Sequence, residues 1–166
     1  MRIRSGSASD LPSVMAMLDE AVAWMVSRGN TKQWGTEPWS AQPARRERIT
    51  GMIGSGDVWV AEIDGDPAGV LIVSGDPMPY VEPVDEPELY VGLLLTSRRY
   101  AGQKIGAELL LKARAEAVAR GVSLIRVDCY AGGTGELVRY YERNGFARDS
   151  TFMVGDWPGQ VLSQRL

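Results

Sequence analysis

The stretch Arg98 to Leu111 reads RRYAGQKIGAELLL, and it is the first place where residue types and spacing suggest chemistry. An apolar run, Leu93, Leu94 and Leu95, leads into two glycines, Gly102 and Gly106, and a segment of strong helical character follows. A strand, a tight turn and a helix N-terminus aim unpaired amides and the positive end of a helix dipole at one point, which makes an anion site. A P-loop needs Lys followed by Ser or Thr, and here Lys104 is followed by Ile105. The dinucleotide pattern G-x-G-x-x-G is also absent, and its acidic partner has no clear counterpart beyond Asp128. The chain has no histidine and one cysteine, which removes Cys-His and Ser-His nucleophile systems and most zinc sites, and no metal site is expected. Acid-base work falls to carboxylates, tyrosines, lysine, cysteine or water. Cys129 cannot form an internal disulfide and reads as a small buried hydrophobe at a strand end.

A second stretch, LVRYYERNGF at residues 137 to 146, reads as a helix stopped by Gly145, which suits a left-handed helix end, with Phe146 entering the core. Tyr141, Gly145 and Phe146 form a Tyr-x-x-x-Gly-Phe pattern about 35 residues after the glycine turn. Together with AGQKIG it resembles the paired motifs of the GNAT superfamily, the acyl-CoA-dependent N-acetyltransferases. The N-terminal SASDLPSV is also typical of that superfamily's first helix, so the resemblance covers most of the chain. The family loop runs Arg/Gln-x-x-Gly-x-Gly/Ala, and this chain departs from it twice: Ala101 takes the Arg/Gln place and Lys104 the first Gly place.

The resemblance implies acetyl-CoA as co-substrate. Backbone groups of Leu94, Leu95 and Thr96 would pair with the pantetheine arm, and Thr134, where the family often has Asn, would keep a hydroxyl toward it. The amides of Ala101, Gly102, Gln103, Lys104, Ile105, Gly106 and Ala107 would hold the diphosphate, with Arg98 or Arg99 adding charge and the Lys104 side chain turned outward or toward a 3′-phosphate. Tyr141 would protonate the departing CoA thiolate as general acid. The base is expected at Glu88, then Glu82, with Tyr90 or a water relay as alternatives, against a plain reading of that acidic loop as solvated surface. Trp24, Met25, Gln33, Trp34, Trp39 and Tyr80 are the acceptor-side residues. They form an aromatic wall for a cation, or else ordinary core and helix packing. The implied reaction moves an acetyl group to the primary amine of a small molecule by direct attack in a ternary complex. The alternatives are a non-catalytic acyl-CoA-binding or sensing domain, and an acetyltransferase for protein N-termini or lysines.

The elements that must position these residues follow from periodicity. Residues 2 to 4 suggest a strand, and Ser7 and Asp10 have capping-box spacing before an amphipathic helix carrying Leu11, Val14, Met15, Leu18 and Val22. ARRERITGMIGSG suggests a second helix, and DVWVAEI and AGVLIVS form a hairpin across DGDP. GDPMPYVEPVDEP is acidic, proline-rich and irregular, and ELYVGLLLT is a strand in which Gly92 marks a bulge or a close backbone approach. KIGAELLLKARAEAVARG is a helix, SLIRVDC a strand, TGELVRYYERNG a shorter helix, and FARDSTFMV and VLSQRL are strands. The fold class is α/β with a mixed sheet. The resemblance adds a GNAT-like, mostly antiparallel sheet with a splayed centre, flanked by about four helices.

The 166 residues, 45% hydrophobic and 23% charged, suit a single domain over 1–166. A net charge of -3 argues against a nucleic-acid partner. No run of 18 uncharged apolar residues and no signal peptide is present, so a cytoplasmic protein without a membrane partner is expected. DSTFMV and VLSQRL offer a route to a homodimer.

Overall fold

Ser7 begins the first helical segment as its spacing predicts. Its hydroxyl caps the following turn, and its amide donates to the Asp10 carboxylate at 2.9 Å, so Asp serves where Glu or Gln is usual. Arg4 holds the same carboxylate at 2.8 Å, and that guanidinium keeps the Asp10 carboxyl below its ordinary range. A computed structural model describes all residues, Met1–Leu166. The elements in chain order are β1 (Arg2–Ser5), α1 (Leu11–Ser27), α2 (Pro43–Ser55), β2 (Asp57–Ile63), β3 (Asp66–Ser74), β4 (Leu89–Thr96), α3 (Ile105–Ala119), β5 (Leu124–Tyr130), α4 (Glu136–Arg143), β6 (Ala147–Val154) and β7 (Trp157–Arg165). The strands lie in the order β1-β2-β3-β4-β5-β7-β6, a mixed seven-stranded sheet with four α-helices, which is the expected fold class. No helix is long and apolar enough to cross a membrane.

The chain divides into two compact units, Met1–Ile72 with Leu93–Leu109, and Val73–Gly92 with Leu110–Leu166. In the first, β1 pairs antiparallel with β2, and Asp64 and Gly65, both at positive φ, make the two-residue turn into β3. Val14, Leu18 and Val22 of α1 meet Ile49 and Ile53 of α2 over Val58, Val60, Val70 and Ile72 of the strands, with Leu93 and Leu95 of β4. Each such side chain contributes roughly 1.5–3 kcal/mol by leaving water.

In the second unit β5 is central. It pairs parallel with β4 over Leu89↔Ile125 to Val91↔Val127, and antiparallel with β7 along its whole length. The parallel pairing of β4 with β5 runs to Val91, and Gly92 follows it within β4. Period-2 alternation gives β5 two faces. Ile125, Val127 and Cys129 share one with Gln164, whose amide nitrogen donates to Asn144 O at the end of α4 at 3.2 Å. Arg126, Asp128 and Tyr130 share the other, where Arg126 donates to Glu82 O at 3.2 Å and so ties down the irregular acidic segment before β4. The two C-terminal strands, expected as a route to a homodimer, pair with each other inside the chain, from Ala147↔Ser163 to Val154↔Trp157.

Within the first unit α3 starts directly on β3. A Cβ on Gly69 would stand 2.7 Å from Ile105 Cγ2, 3.0 Å from Leu109 Cδ1 and 3.2 Å from Leu95 O. Gly69→Ala should therefore overpack this contact and cost about 1–3 kcal/mol. A thermal melt should show a fall of roughly 2–4 °C per kcal/mol, and an unchanged melting temperature would mean that α3 does not bear on β3 as described.

Candidate active site

The turn between β4 and α3 is built from both ends. At its start, Ser97 Oγ accepts from the Arg99 amide at 3.3 Å and donates to Glu20 of α1 at 3.0 Å, and the same Glu20 oxygen accepts the Arg98 amide. Glu20 thus fixes where the turn begins, and sequence reasoning did not find it. The only sign of it was a carboxylate beside the apolar stripe of α1. The turn then closes on itself, Tyr100 N to Ser97 O at 3.2 Å, and Ala101 N to Arg98 O and Gln103 N to Tyr100 O, both at 3.3 Å.

At its far end Lys104 O accepts the Glu108 amide at 3.1 Å, which makes Lys104 the cap residue of α3. The amides of Lys104, Ile105, Gly106 and Ala107 are then the first-turn donors that a helix cannot satisfy internally. Gly102 stands at φ +83° and Lys104 at φ +58°. That answers the departure at Lys104: the position demands a left-handed backbone, which glycine adopts freely and lysine only at a cost of about 1 kcal/mol. Its side chain is exposed, in keeping with an outward arrangement. The donor set is narrower than expected, because the Ala101 and Gln103 amides are already engaged in the turn. Arg99 is exposed with its guanidinium 5.5 Å from the Tyr100 ring centre. Leu94 and Thr96 are half-buried, while Leu95 packs into the core of the first unit.

The tryptophans do not form one wall. Trp24 carries the Arg98 guanidinium 3.7 Å from its ring centre and that of Arg28 at 5.2 Å, so the chain's own cations stack on it. Trp34 and Trp39 pack together at 5.6 Å, Trp39 buried in the core, and Trp34 O accepts from Trp39 Nε1 at 3.0 Å and Arg45 at 2.9 Å. Packing, the plainer of the two readings, describes Trp34 and Trp39.

In the second unit the expected base, Glu88, is committed elsewhere. It is buried at 6% exposure, and its two oxygens accept from Arg126 Nε at 3.1 and 3.2 Å, with a further bond from the guanidinium terminus at 2.8 Å. A base must offer a lone pair to its substrate, whereas this carboxylate balances a buried guanidinium. Glu82 is exposed and contributes its carbonyl to the same arginine. One step along each strand, the fully buried Tyr90 donates its hydroxyl to Asp128, and Tyr80 reaches the other oxygen of Asp128 at 3.5 Å. Burial first, then the Asp128 charge, pushes the Tyr90 phenol far above its ordinary value. Asp128 was not among the expected site residues. Its signal was the alternation that puts Arg126 and Asp128 on one face of an apolar strand, as ELY does for Glu88 and Tyr90.

On the opposite face, Tyr141 of α4 is buried at 5% exposure with Tyr140 and Phe146 packed edge-on at 5.4 and 5.8 Å. Burial raises its phenol well above the usual range, with Cys129 as the next contributor. The buried Cys129 thiol is pushed up to about 12 for the same main reason. Gly145 stands at φ +90° as the helix stop, with Phe146 N donating to Tyr141 O at 3.1 Å. Thr134 is exposed in the turn before α4, and its carbonyl accepts from Arg139 at 2.6 Å.

Two stability measurements follow from this geometry. Lys104→Gly should relieve the left-handed backbone and leave the protein as stable or up to about 1 kcal/mol more stable in denaturant melts. Glu88→Gln should leave a buried guanidinium uncompensated and cost about 3–5 kcal/mol; a change within error would show that the pair holds nothing together.

The chain is similar to known acetyltransferases over most of its length. The family model described as Acetyltransferase (GNAT) family matches residues 19–146. An uncharacterized N-acetyltransferase, YesJ of Bacillus subtilis (strain 168), is 28% identical over 163 residues, covering 94% of this chain and 84% of that protein. A GNAT-family acetyltransferase structure from Listeria monocytogenes 4b F2365 superposes with a TM-score of 0.75 at 19% identity, over 99% of this chain and 94% of that one. The PaiA N-acetyltransferase of Thermoplasma acidophilum, solved in complex with coenzyme A, gives 0.72 at 20% identity, over 99% and 98%. With strand, amide-rich turn, helix and Tyr141 motif all inside the matched span, the chain belongs to the GNAT family of acetyltransferases.

Proposed function

We propose that the protein transfers an acetyl group from acetyl-CoA to a primary amine of a small molecule, by direct attack within a ternary complex. The observation that carries this reading is Tyr141, buried on α4 inside the span that matches the acetyltransferase family. A phenol buried this deeply keeps its proton throughout the neutral range, so it acts as a donor and never as a base.

The amides of Lys104 to Ala107 suit a diphosphate because main-chain donors at a helix N-terminus hold that charge whatever the side chain. That acetyl-CoA is the donor is supported by the family, and the PaiA structure contains coenzyme A. The neutral amine attacks the thioester carbon, the C–S bond breaks, and the CoA sulfur takes the Tyr141 proton. The amide nitrogen loses its extra proton to water, and the phenolate regains one from solvent. A covalent acyl-enzyme is disfavoured because the single cysteine is buried with a thiol pushed up to about 12, and thiolate is the nucleophilic form.

The test is thiol release from acetyl-CoA across a panel of primary amines. Turnover above hydrolysis is expected, with Tyr141→Phe lowering kcat by ~10²-fold or more and leaving CoA affinity unchanged. If acetyl-CoA raises the melting temperature while no amine increases thiol release, a binding or sensing role replaces the enzyme. If Tyr141→Phe retains full kcat, the acid lies elsewhere.

A further inference from the structure

We propose that Gln164 is a positioning residue for Tyr141, holding the turn in which the helix of that tyrosine ends, and that Arg114 orients Gln164 for the task. The inference rests on the reading of Tyr141 as general acid and names what keeps its phenol in place.

Tyr141 sits in the last turn of α4, a helix of eight residues. A helix this short is marginal by itself, and its last four carbonyls find no partner within it. The residues that follow supply the missing donors. Tyr140 O accepts from Asn144 Nδ2 at 2.8 Å, Tyr141 O accepts the amides of Asn144 at 3.0 Å and Phe146 at 3.1 Å, and Glu142 O accepts that of Gly145 at 3.1 Å. Phe146 also packs edge-on against the Tyr141 ring, with centres 5.8 Å apart. Both the backbone of Tyr141 and one wall of its ring therefore depend on residues 144 to 146.

Gln164 reaches that turn from β7, where it stands opposite Ile125 at 7% exposure. Its Nε2 donates to Asn144 O at 3.2 Å, and its Oε1 accepts from Arg114 of α3. A buried amide in a strand that also carries Val161 and Leu162 costs free energy unless it is hydrogen-bonded, and these two bonds use its donor end and its acceptor end. The orientation is forced, because a guanidinium only donates and a carbonyl only accepts. The oxygen must face Arg114 and the nitrogen Asn144. Gly145 admits the approach: a Cβ there would collide with Gln164 Nε2, so this glycine serves both the left-handed helix stop at φ +90° and the contact with β7. A proton donor must meet the leaving sulfur within a fraction of an ångström, and a misplacement of about 1 Å can cost ~10²-fold in rate. Anchoring the turn is what Gln164 contributes to that precision.

Gln164→Met keeps the length of the side chain and removes both hydrogen bonds. Hydrogen exchange followed amide by amide should show Asn144 and Phe146 exchanging about tenfold faster, with Val127 in the β5 ladder unchanged. Thiol release should show kcat lowered about ten- to hundredfold, with KM for acetyl-CoA near wild type. In the Tyr141→Phe background the same substitution should change kcat by less than about twofold, because no phenol is left to place. A purely structural role would lower kcat equally in both backgrounds. Arg114→Ala, a change at an exposed helix position, should give the same pattern at smaller size, and it decides the matter if Gln164→Met folds poorly. Equal losses in both backgrounds, or unchanged exchange at Asn144 and Phe146, overturn the inference and leave Tyr141 as the acid. If exchange at those amides rises but Tyr141→Phe retains full kcat, the anchoring by Gln164 stands and the reading of Tyr141 as the acid falls.

Discussion

The first turn of α3 leaves backbone amides that the helix cannot satisfy, and much of the first unit arranges itself around that constraint. Lys104 accepts a left-handed backbone so that Ile105, Gly106 and Ala107 follow directly into the helix. Gly69 gives up a side chain so that Ile105 and Leu109 can lie against β3. Glu20 and Ser97 hold the other end, where the Arg98 and Arg99 amides would otherwise lack acceptors. Arg98 closes the arrangement over Trp24, with its Nε buried and without an acceptor. Most of these choices cost stability, and what they have in common is a fixed set of outward donors.

The second unit solves a different problem, that of carrying charge inside a sheet. Arg126 and Glu88 satisfy each other with excellent geometry, which is the condition under which a buried ion pair is tolerable. One residue further along the same face, Tyr90 and Asp128 repeat the cross-strand pairing with a phenol in place of the guanidinium. The first pair is fully buried, while the carboxylate of the second is half-buried. The parallel register Tyr90↔Arg126 puts the two pairs side by side, so the inert pair sets the position of the other.

Much of the fold was legible in the sequence. The capping spacing of Ser7 and Asp10, the Asp-Gly hairpin turn and the Gly145 helix stop are local devices whose cause and effect lie within a few residues, and each formed where its residues required. The turn before α3 and the helix that carries Tyr141 were legible for the same reason. The surroundings of Glu88 and Trp24 were not, because they depend on neighbours distant in sequence. Glu88 looks like a base until Arg126, 38 residues away, is placed against it. Trp24 looks like open aromatic surface until Arg98 is laid over its ring.

The sequence by itself therefore determined the family, the order of elements and the amide-lined turn, since these depend on backbone preferences written residue by residue. It also carried the reason for Lys104, although the demand for a positive φ became visible only in the folded turn. Tertiary structure alone decided which side chain each carboxylate meets. Pairing across strands fixes that, and it follows from register, a property of two segments together that neither Glu88 nor Asp128 carries in its own neighbourhood.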